Sequence, residues 1–308
     1  GRGDFVDMQV VEIAPGGKTA PQRHLYEAVV YVLAGRGSTS VESPSGERHS
    51  FEWQTGSLFA IPLNGSYRHY NGSGAEPARI VSVTDLPLIL NVFRDEQFIW
   101  NNPKAFPERF GEARQFRGDG TFLPMRPGRH MWETNFVPDL RTFELKEWKA
   151  RGAGGSNIMF VLADGTMHAH MSEMPVGTYK KGHRHGADFH VFTVTGAGYS
   201  LYWWEGEKEL QRFDWKHGSV FAPADRLFHQ HFNVSAEPAR YLAVAFGGLR
   251  YPTLADKRAT YMGMDVSVKE GGRQIEYEDE DPRIREIYLD ELRKSGIPSR
   301  MDAVFQPA

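Results

Sequence analysis

The chain has 308 residues, an apolar share of 40%, an aromatic share of 13% and a formal net charge of −3. This length suffices for two domains with substantial cores. The absence of cysteine excludes disulfides and thiolate metal sites. The mixed charges give no footprint for nucleic acid or a membrane surface, and no apolar run is long enough to predict a membrane-spanning helix.

In chain order, the first unit is one that the chain later repeats. GSLFAIPLNGSYRHYN at 56–71 matches GSVFAPADRLFHQHFN at 218–233, and AEPAR occurs at 75–79 and again at 236–240. The offset between matching residues stays at 161 or 162. A constant offset indicates two copies of one structural unit in tandem.

Both copies are predicted to be β structure. VVYVLAG in the first copy and HVFTVTGAGYSLYWW in the second are rich in β-branched and aromatic residues, and Gly, Pro and Asn turns separate such runs. These runs are apolar at too many consecutive positions for a sheet that has one solvent-exposed face. The pattern therefore predicts barrels or sandwiches with filled interiors.

Two further segments are distinct in composition. A Pro-, Gly- and Arg-rich connector occupies 91–155, and we interpret its glycine-rich end ARGAGGSN at 150–157 as a hinge because it lacks a phosphate-loop lysine. Near the end, Asp281 as N-cap, Pro282 as first residue and Gly296 as stop predict a helix near 282–295. We interpret the preceding acidic run EYEDED as solvated.

Histidines concentrate in the second copy. His183, His185 and His190 lie in KGHRHGADFH, and His229 follows in RLFHQHFN. Imidazole is the commonest ligand of divalent first-row metals, and residues two apart on a strand share a face. A neighbouring strand can bring His229 alongside His183 and His185. His190 shares their face only if a loop or bulge at 186–188 intervenes.

Other side chains near this motif are further candidates for the functional site, with less support from the sequence. His231 has the parity of His229, so it is either a catalytic or substrate contact or a satisfied core histidine. Arg226 is a candidate anion anchor, although an arginine in a turn is usually solvated. We interpret His168 and His170, on the strand before the motif, as exposed or edge residues, with the alternative that one of them lines the pocket.

The first copy lacks most of these histidines. Gln22, Val29 and Tyr67 occupy the positions of His183, His190 and His229, and only His24 is retained. One imidazole and one amide cannot hold a divalent metal tightly. We therefore predict a first copy without metal, which serves packing and oligomer contacts.

The H-x-H motif, the Gly-x-Gly turn, G-S-x-F-x-P and H-x-x-x-N together resemble the two-part signature of the cupin superfamily. Two tandem copies resemble the bicupins, which include gentisate-type dioxygenases, oxalate decarboxylases and quercetin dioxygenases. The resemblance implies an all-β fold of two jelly-roll (double-stranded β-helix) barrels at 1–90 and 156–250, with the connector 91–155 and an extension over 251–308. It also implies a metal bound by His183, His185 and His229. The glutamate usual in the family is absent, which leaves a four-histidine site with His190 or a three-histidine site.

We expect an Fe(II) dioxygenase that acts on a small aromatic or enolic acid, with Zn, Mn, Ni or Cu as alternative metals. Imidazole ligands without a carboxylate leave the metal its full positive charge, which favours an anionic substrate. The alternatives are a redox-neutral decarboxylase, isomerase or hydrolase, and a small-molecule-binding bicupin with a structural metal. We also expect a cytoplasmic homo-oligomer with a small-molecule substrate and neither nucleic-acid nor membrane partners.

Overall fold

The first repeat folds into two facing antiparallel sheets. In the computed structural model, which describes residues 4–126, 129–186, 189–246 and 265–305, its strands are β1 (Asp7–Ile13), β2 (Ala28–Ala34), β3 (Arg36–Glu42), β4 (Arg48–Gln54), β5 (Leu58–Ile61), β6 (Ser66–Asn71) and β7 (Ala78–Thr84). One sheet has the order β1-β7-β2-β5 and the other β4-β3-β6. This is a jelly-roll barrel, as the continuous apolar runs predict.

The connector is more regular than its composition suggests. It contains α1 (Leu86–Phe93), α2 (Glu96–Trp100), α3 (Pro107–Phe110), β8 (Thr121–Arg126), β9 (Arg129–Thr134), β10 (Phe136–Val137), β11 (Lys146–Glu147) and 3₁₀ turns at Gln115–Arg117 and Lys149–Arg151. Strand β10 extends the first repeat's larger sheet by pairing with β5. The connector therefore adds strands as well as linking the repeats.

The second repeat forms a second barrel. Its strands are β12 (Ser156–Leu162), β13 (Met167–Met174), β14 (Gly182–His183), β15 (Phe189–Thr195), β16 (Ala197–Trp203), β17 (Gln211–Lys216), β18 (Val220–Phe221), β19 (Phe228–Asn233) and β20 (Ala239–Phe246). The larger sheet has the order β18-β15-β20-β13-β12-β9-β8, with β11 also beside β12. The smaller sheet contains β17-β16-β19-β14 and a final strand from the C-terminal extension.

The extension forms β21 (Gln274–Ile275), α4 (Pro282–Ser295), α5 (Asp302–Phe305) and 3₁₀ turns at Val268–Glu270 and Tyr277–Asp279. The Asp281 side chain accepts a hydrogen bond from the backbone N–H of Arg283, Pro282 is the first helical residue, and Gly296 ends the helix with φ 67°. The predicted C-terminal helix is confirmed with its caps. In the described part of the chain, no helix is long and apolar enough to cross a membrane.

Helix α4 covers the outer face of the second barrel's smaller sheet. Ile284, Tyr288 and Leu292 are buried against an apolar face formed by Tyr199, Leu201 and Phe232. The matching face of the first barrel carries Ser38, Ser40 and Tyr70, which remain partly exposed. The two copies thus differ outside as well as inside, and the extension belongs structurally to the second barrel.

The two larger sheets pack against each other and form one core between the barrels. Tyr31 and Val81 of the first barrel and Phe160 and Leu242 of the second belong to this cluster. A buried polar contact adds to it, because the Glu27 carboxylate accepts a hydrogen bond from the backbone N–H of Met167 (2.7 Å). The barrels are therefore joined by an apolar interface with a defined register.

Candidate metal centre in the second barrel

Three of the four predicted ligands converge at one point. His183 on β14 lies opposite His229 on β19 in the strand register, and His185 follows just beyond the end of β14. One ligand nitrogen from each of the three lies within 4.8 Å of the others. The His229 ring centroid lies 4.2 Å from that of His183 and 4.6 Å from that of His185. The spacing that suggested a shared face thus places three imidazoles around one position.

The protonation of these imidazoles suits a cation. Nδ1 of His185 lies 2.9 Å from the carbonyl oxygen of Gly186, and Nδ1 of His229 lies 3.0 Å from that of Leu227. Each Nδ1–H therefore donates to backbone, which leaves Nε2 with a lone pair. Burial lowers the pKa of His185 to about 4 and the pKa values of His183 and His229 well below 6.5. Three neutral imidazoles with available lone pairs fit a divalent metal.

His190, the fourth predicted ligand, faces away from the cavity. Val191, the next residue on β15, lines the cavity beside the three histidines, so His190 lies on the opposite face of the strand. Among the described residues, His190 is not a member of the group with metal-ligand spacing. Residues 187 and 188, part of the loop proposed to correct its parity, lie outside the described residues. The described geometry is that of a three-histidine group.

The cavity beside this group is small and polar. Its volume is ≈ 40 Å³, and its lining includes His168, His170 and Ser172 from β13 and Tyr241 from β20. The interpretation of His168 and His170 as exposed or edge residues was wrong. Strand β13 lies between β12 and β20 in the larger sheet, so it is not an edge strand. His168 and His170 are two residues apart on this strand and both face the barrel interior.

A buried arginine was missed altogether. Arg151 lines the cavity, is only 4% exposed, and donates from Nη1 to Oε1 of Gln274 (3.0 Å). Its guanidinium also lies 5.5 Å from the ring centroid of Trp148. Burial lowers the pKa of Arg151, while the charges of Asp265 and Glu276 oppose that shift. The segment interpreted as a hinge therefore delivers a cation to the site.

Arg226 is a solvated turn residue, the usual case for such an arginine, and it is not an anion anchor at the cavity. It is exposed, has a left-handed backbone with φ 61°, and is outside the described lining of the cavity. Its backbone N–H donates to the carbonyl oxygen of His185 (3.0 Å). Arg226 thus contributes a turn that fixes the backbone of His185, and Arg151 is the arginine at the cavity.

His231 lines the cavity but is held by its own hydrogen bonds. Its Nδ1 lies 2.7 Å from Oγ of Ser200, which accepts a hydrogen bond from Nε1 of Trp215 (3.0 Å). The first barrel repeats this arrangement with His69, Thr39 and Trp53, at 2.8 and 2.9 Å. Because the cluster occurs with and without the three-histidine group, its role is to join the strands of the smaller sheet.

The first barrel closes the equivalent position with protein hydrogen bonds. The Tyr67 hydroxyl donates to Oε1 of Gln22 (2.5 Å) and lies 2.9 Å from Nε2 of His24. Gln22 and Tyr67 face each other across a β-bridge, as His183 and His229 do. Burial lowers the pKa of His24 to about 4. These three side chains satisfy one another, which supports the prediction of a first barrel without metal.

Comparisons with known proteins give the same fold. A cupin-domain family model matches residues 9–84, and no curated protein matches the chain. A variant of oxalate decarboxylase from Bacillus subtilis superposes with a TM-score of 0.52 at 13% identity, over 80% of this chain and 70% of that one. The formate complex of Lactobacillus farciminis oxalate decarboxylase gives 0.53 at 14% identity, over 80% and 78%.

The family model matches the repeat without the histidine group, whereas the H-x-H motif lies in the other repeat. The structural similarity spans both barrels and, at these identities, shows the shared fold. Together with the internal repeat, these findings confirm the resemblance inferred from the motifs. Residues 9–84 match the cupin-domain family, and the chain as a whole has the two-barrel fold of the similar oxalate decarboxylases.

Proposed function

We propose that this protein is a metal-dependent enzyme that acts on a small carboxylate inside its second barrel. His183, His185 and His229 would hold one divalent cation, and the first barrel would hold none. The observation that carries the proposal is the presence of a buried arginine, Arg151, in the same cavity as three neutral imidazoles. Such a cavity binds an anion at one end and a cation at the other.

The chain's own residues then have distinct tasks. Arg151 binds the carboxylate of the substrate, because a guanidinium matches carboxylate geometry with two parallel hydrogen bonds. The aromatic wall at Tyr241 and the small volume of ≈ 40 Å³ limit the size of the substrate. Backbone carbonyls at Gly186 and Leu227 hold His185 and His229 in the tautomer that presents Nε2.

The preferred reaction is cleavage of a small aromatic or enolic acid by dioxygen with Fe(II). A divalent metal held by these three imidazoles alone would keep open positions and would supply Lewis-acid or, as iron, redox chemistry. Open positions and a polar cavity favour an enzyme over a binding protein with a closed structural metal. The small cavity favours acids near the lower end of the size range.

Redox-neutral decarboxylation is the second candidate. The arginine beside the three-histidine group suits any small carboxylate, and the similar Bacillus subtilis oxalate decarboxylase contains Mn(II) centres. Zinc, nickel and copper are compatible with the same imidazole ligands. The two reactions differ in their need for oxygen, which gives a direct test.

The test begins with metal analysis of protein purified without added metal. The ferrous and manganese forms are then screened with small aromatic, enolic and aliphatic acids, with oxygen uptake and CO₂ release followed together. We expect oxygen uptake by the ferrous form, abolished in His229→Ala. Full turnover under strict anaerobiosis would reject the dioxygenase and favour decarboxylation. Absence of bound metal in the wild type would reject both.

We also propose that the chain forms a homo-oligomer. The first barrel retains its complete strand pattern without the three-histidine group, which is expected of a unit used for packing. Light scattering at micromolar concentration should give a mass of at least a dimer, and a monomer would reject this proposal.

A further inference from the structure

The C-terminal extension places a side chain beside the three-histidine group. Strand β21 pairs antiparallel with β14, so Gln274 lies opposite His183, which lies opposite His229 on the next strand. Directly opposed residues of antiparallel strands present their side chains on the same face. Gln274 is 1% exposed. It therefore continues the row of ligand-type residues across the smaller sheet.

The Gln274 amide is fixed at both ends. Its Oε1 accepts a hydrogen bond from Nη1 of Arg151 (3.0 Å), and its Nε2 donates to the carbonyl oxygen of Ala150 (2.9 Å) and to Oε1 of Glu276 (2.9 Å). The same side chain thus contacts both the guanidinium of Arg151 and the backbone of the preceding residue. This arrangement defines where the arginine enters the cavity.

The neutrality of this acceptor has a consequence for anion binding. A carboxylate at position 274 would also orient Arg151, but it would compete directly with a substrate carboxylate for the guanidinium. An amide orients the guanidinium without adding a negative charge at hydrogen-bond distance. The pairing therefore suits an arginine that must receive an anion from the cavity side.

We propose that Gln274 is a positioning residue that aims Arg151 into the cavity, so that the C-terminal extension sets the affinity of the second barrel for carboxylate anions. The proposal rests on the proposed function, which takes a carboxylate as substrate. It adds that the anion end of the site depends on the C-terminal extension, whereas the cation end depends on residues of the repeated unit.

The test measures oxalate binding to the metal-free full-length protein by calorimetry at constant ionic strength. Gln274→Met, which removes the acceptor, should weaken binding about tenfold, in line with a lost hydrogen bond to a charged group. Gln274→Glu keeps the shape and the acceptor but adds a charge, and it should weaken binding more than Gln274→Met. A purely structural role for Gln274 predicts the reverse order. Arg151→Met gives the affinity without the guanidinium.

Gln230→Met is the matched control. Gln230 is also buried, and its Nε2 donates to the same extension at Glu280 (3.1 Å), but it lies on the opposite face of β19 from His229 and His231. Oxalate affinity should be unchanged in this variant. An equal loss in Gln230→Met would mean that docking of the extension matters in general, and would overturn the specific role of Gln274.

Manganese content after loading and gel filtration is measured separately for every variant. Wild-type oxalate affinity in Gln274→Glu, or no oxalate binding by the wild type, overturns the inference even if manganese is retained. Failure of the wild type to retain manganese rejects the proposed metal enzyme, while a Gln274-dependent oxalate affinity would still support the inference. If circular dichroism shows that Gln274→Met is unfolded, the Gln274→Glu result decides.

Discussion

The charge on individual buried side chains governs what the second barrel can bind. A protonated imidazole has no free lone pair and cannot coordinate a cation, and burial disfavours the protonated forms of His183, His185 and His229 near neutral pH. His190 lies near the same motif but on the opposite face of its strand, so its substitution is a control for substitution of the three candidate ligands.

Alanine at one ligand should therefore abolish metal binding without unfolding the barrel. We expect His183→Ala and His229→Ala to lower the metal content from one equivalent per chain to near zero, because two imidazoles hold a divalent cation weakly. His190→Ala should retain the metal. Metal analysis beside circular dichroism provides the measurement, and loss of metal in His190→Ala would support the four-histidine site instead.

Asp85, which follows the last strand of the first barrel, has a buried carboxyl group whose ionisation should affect stability. Burial, reinforced by the nearby Glu27 carboxylate, raises the pKa of Asp85 to about 7, while its Oδ1 accepts a hydrogen bond from the backbone N–H of Glu27 (2.6 Å). A folded pKa above the unfolded value stabilises the fold at low pH, and this contribution is lost as the pH rises through 7.

Asp85→Asn keeps an acceptor for that hydrogen bond and removes the ionisation. The variant's advantage in free energy of unfolding should grow from pH 4 to pH 8 and reach ~4 kcal/mol, because the folded pKa of about 7 lies roughly three units above the usual value and each unit corresponds to about 1.4 kcal/mol. Urea unfolding of both proteins across this range provides the measurement. An advantage that does not change with pH would contradict the assignment.

The sequence predicted some of these residues and not others, for identifiable reasons. His183, His185 and His229 followed from spacing, because a strand alternates its faces and a paired strand supplies the third imidazole. Arg151 could not be predicted in this way, since it enters the cavity from a connector that has no counterpart in the first repeat. His168 and His170 were misjudged because Asp7 and Gln9, their counterparts, lie on β1 at a sheet edge.

At the scale of elements, α4 shows how the second barrel depends on the extension. The capping residues Asp281, Pro282 and Gly296 were sufficient to predict the helix, but they did not predict where it docks. That site depends on Tyr199, Leu201 and Phe232 forming an apolar outer face. The acidic run before the helix is also less solvated than expected, because Glu280 accepts a hydrogen bond from the Tyr179 hydroxyl.

Shortening a side chain that packs α4 against the barrel should lower the free energy of unfolding. Leu292 is 1% exposed, so Leu292→Ala should destabilise the protein by ~2–5 kcal/mol, the usual range for a buried leucine. Arg293→Ala on the exposed side of the same turn should change stability by less than ~0.5 kcal/mol. Chemical unfolding of the two variants provides the comparison, and equal effects would contradict the packing described.

In the whole molecule, two copies of one barrel share a core, but only the second copy has the three-histidine group. Gln22 and Tyr67 of the first barrel have the pairing that His183 and His229 have in the second. The double variant Gln22→His with Tyr67→His, beside the native His24, should therefore bind a second equivalent of metal per chain. Metal analysis of His229→Ala in the same background would show one equivalent, held by the first barrel alone. A stoichiometry that stays at one in the double variant would contradict the proposed equivalence.

The closed hydrogen-bond group of Gln22, Tyr67 and His24 also bears on the history of the duplication. In the genetic code, glutamine and tyrosine are each a single base substitution away from histidine. Because the buried hydroxyl of Tyr67 bonds with both Gln22 and His24, the exchange leaves that hydroxyl with hydrogen-bond partners. Under the proposed function, a duplicated unit can therefore pass between a metal-holding and a metal-free form by point mutations, while its sister copy keeps the three-histidine group.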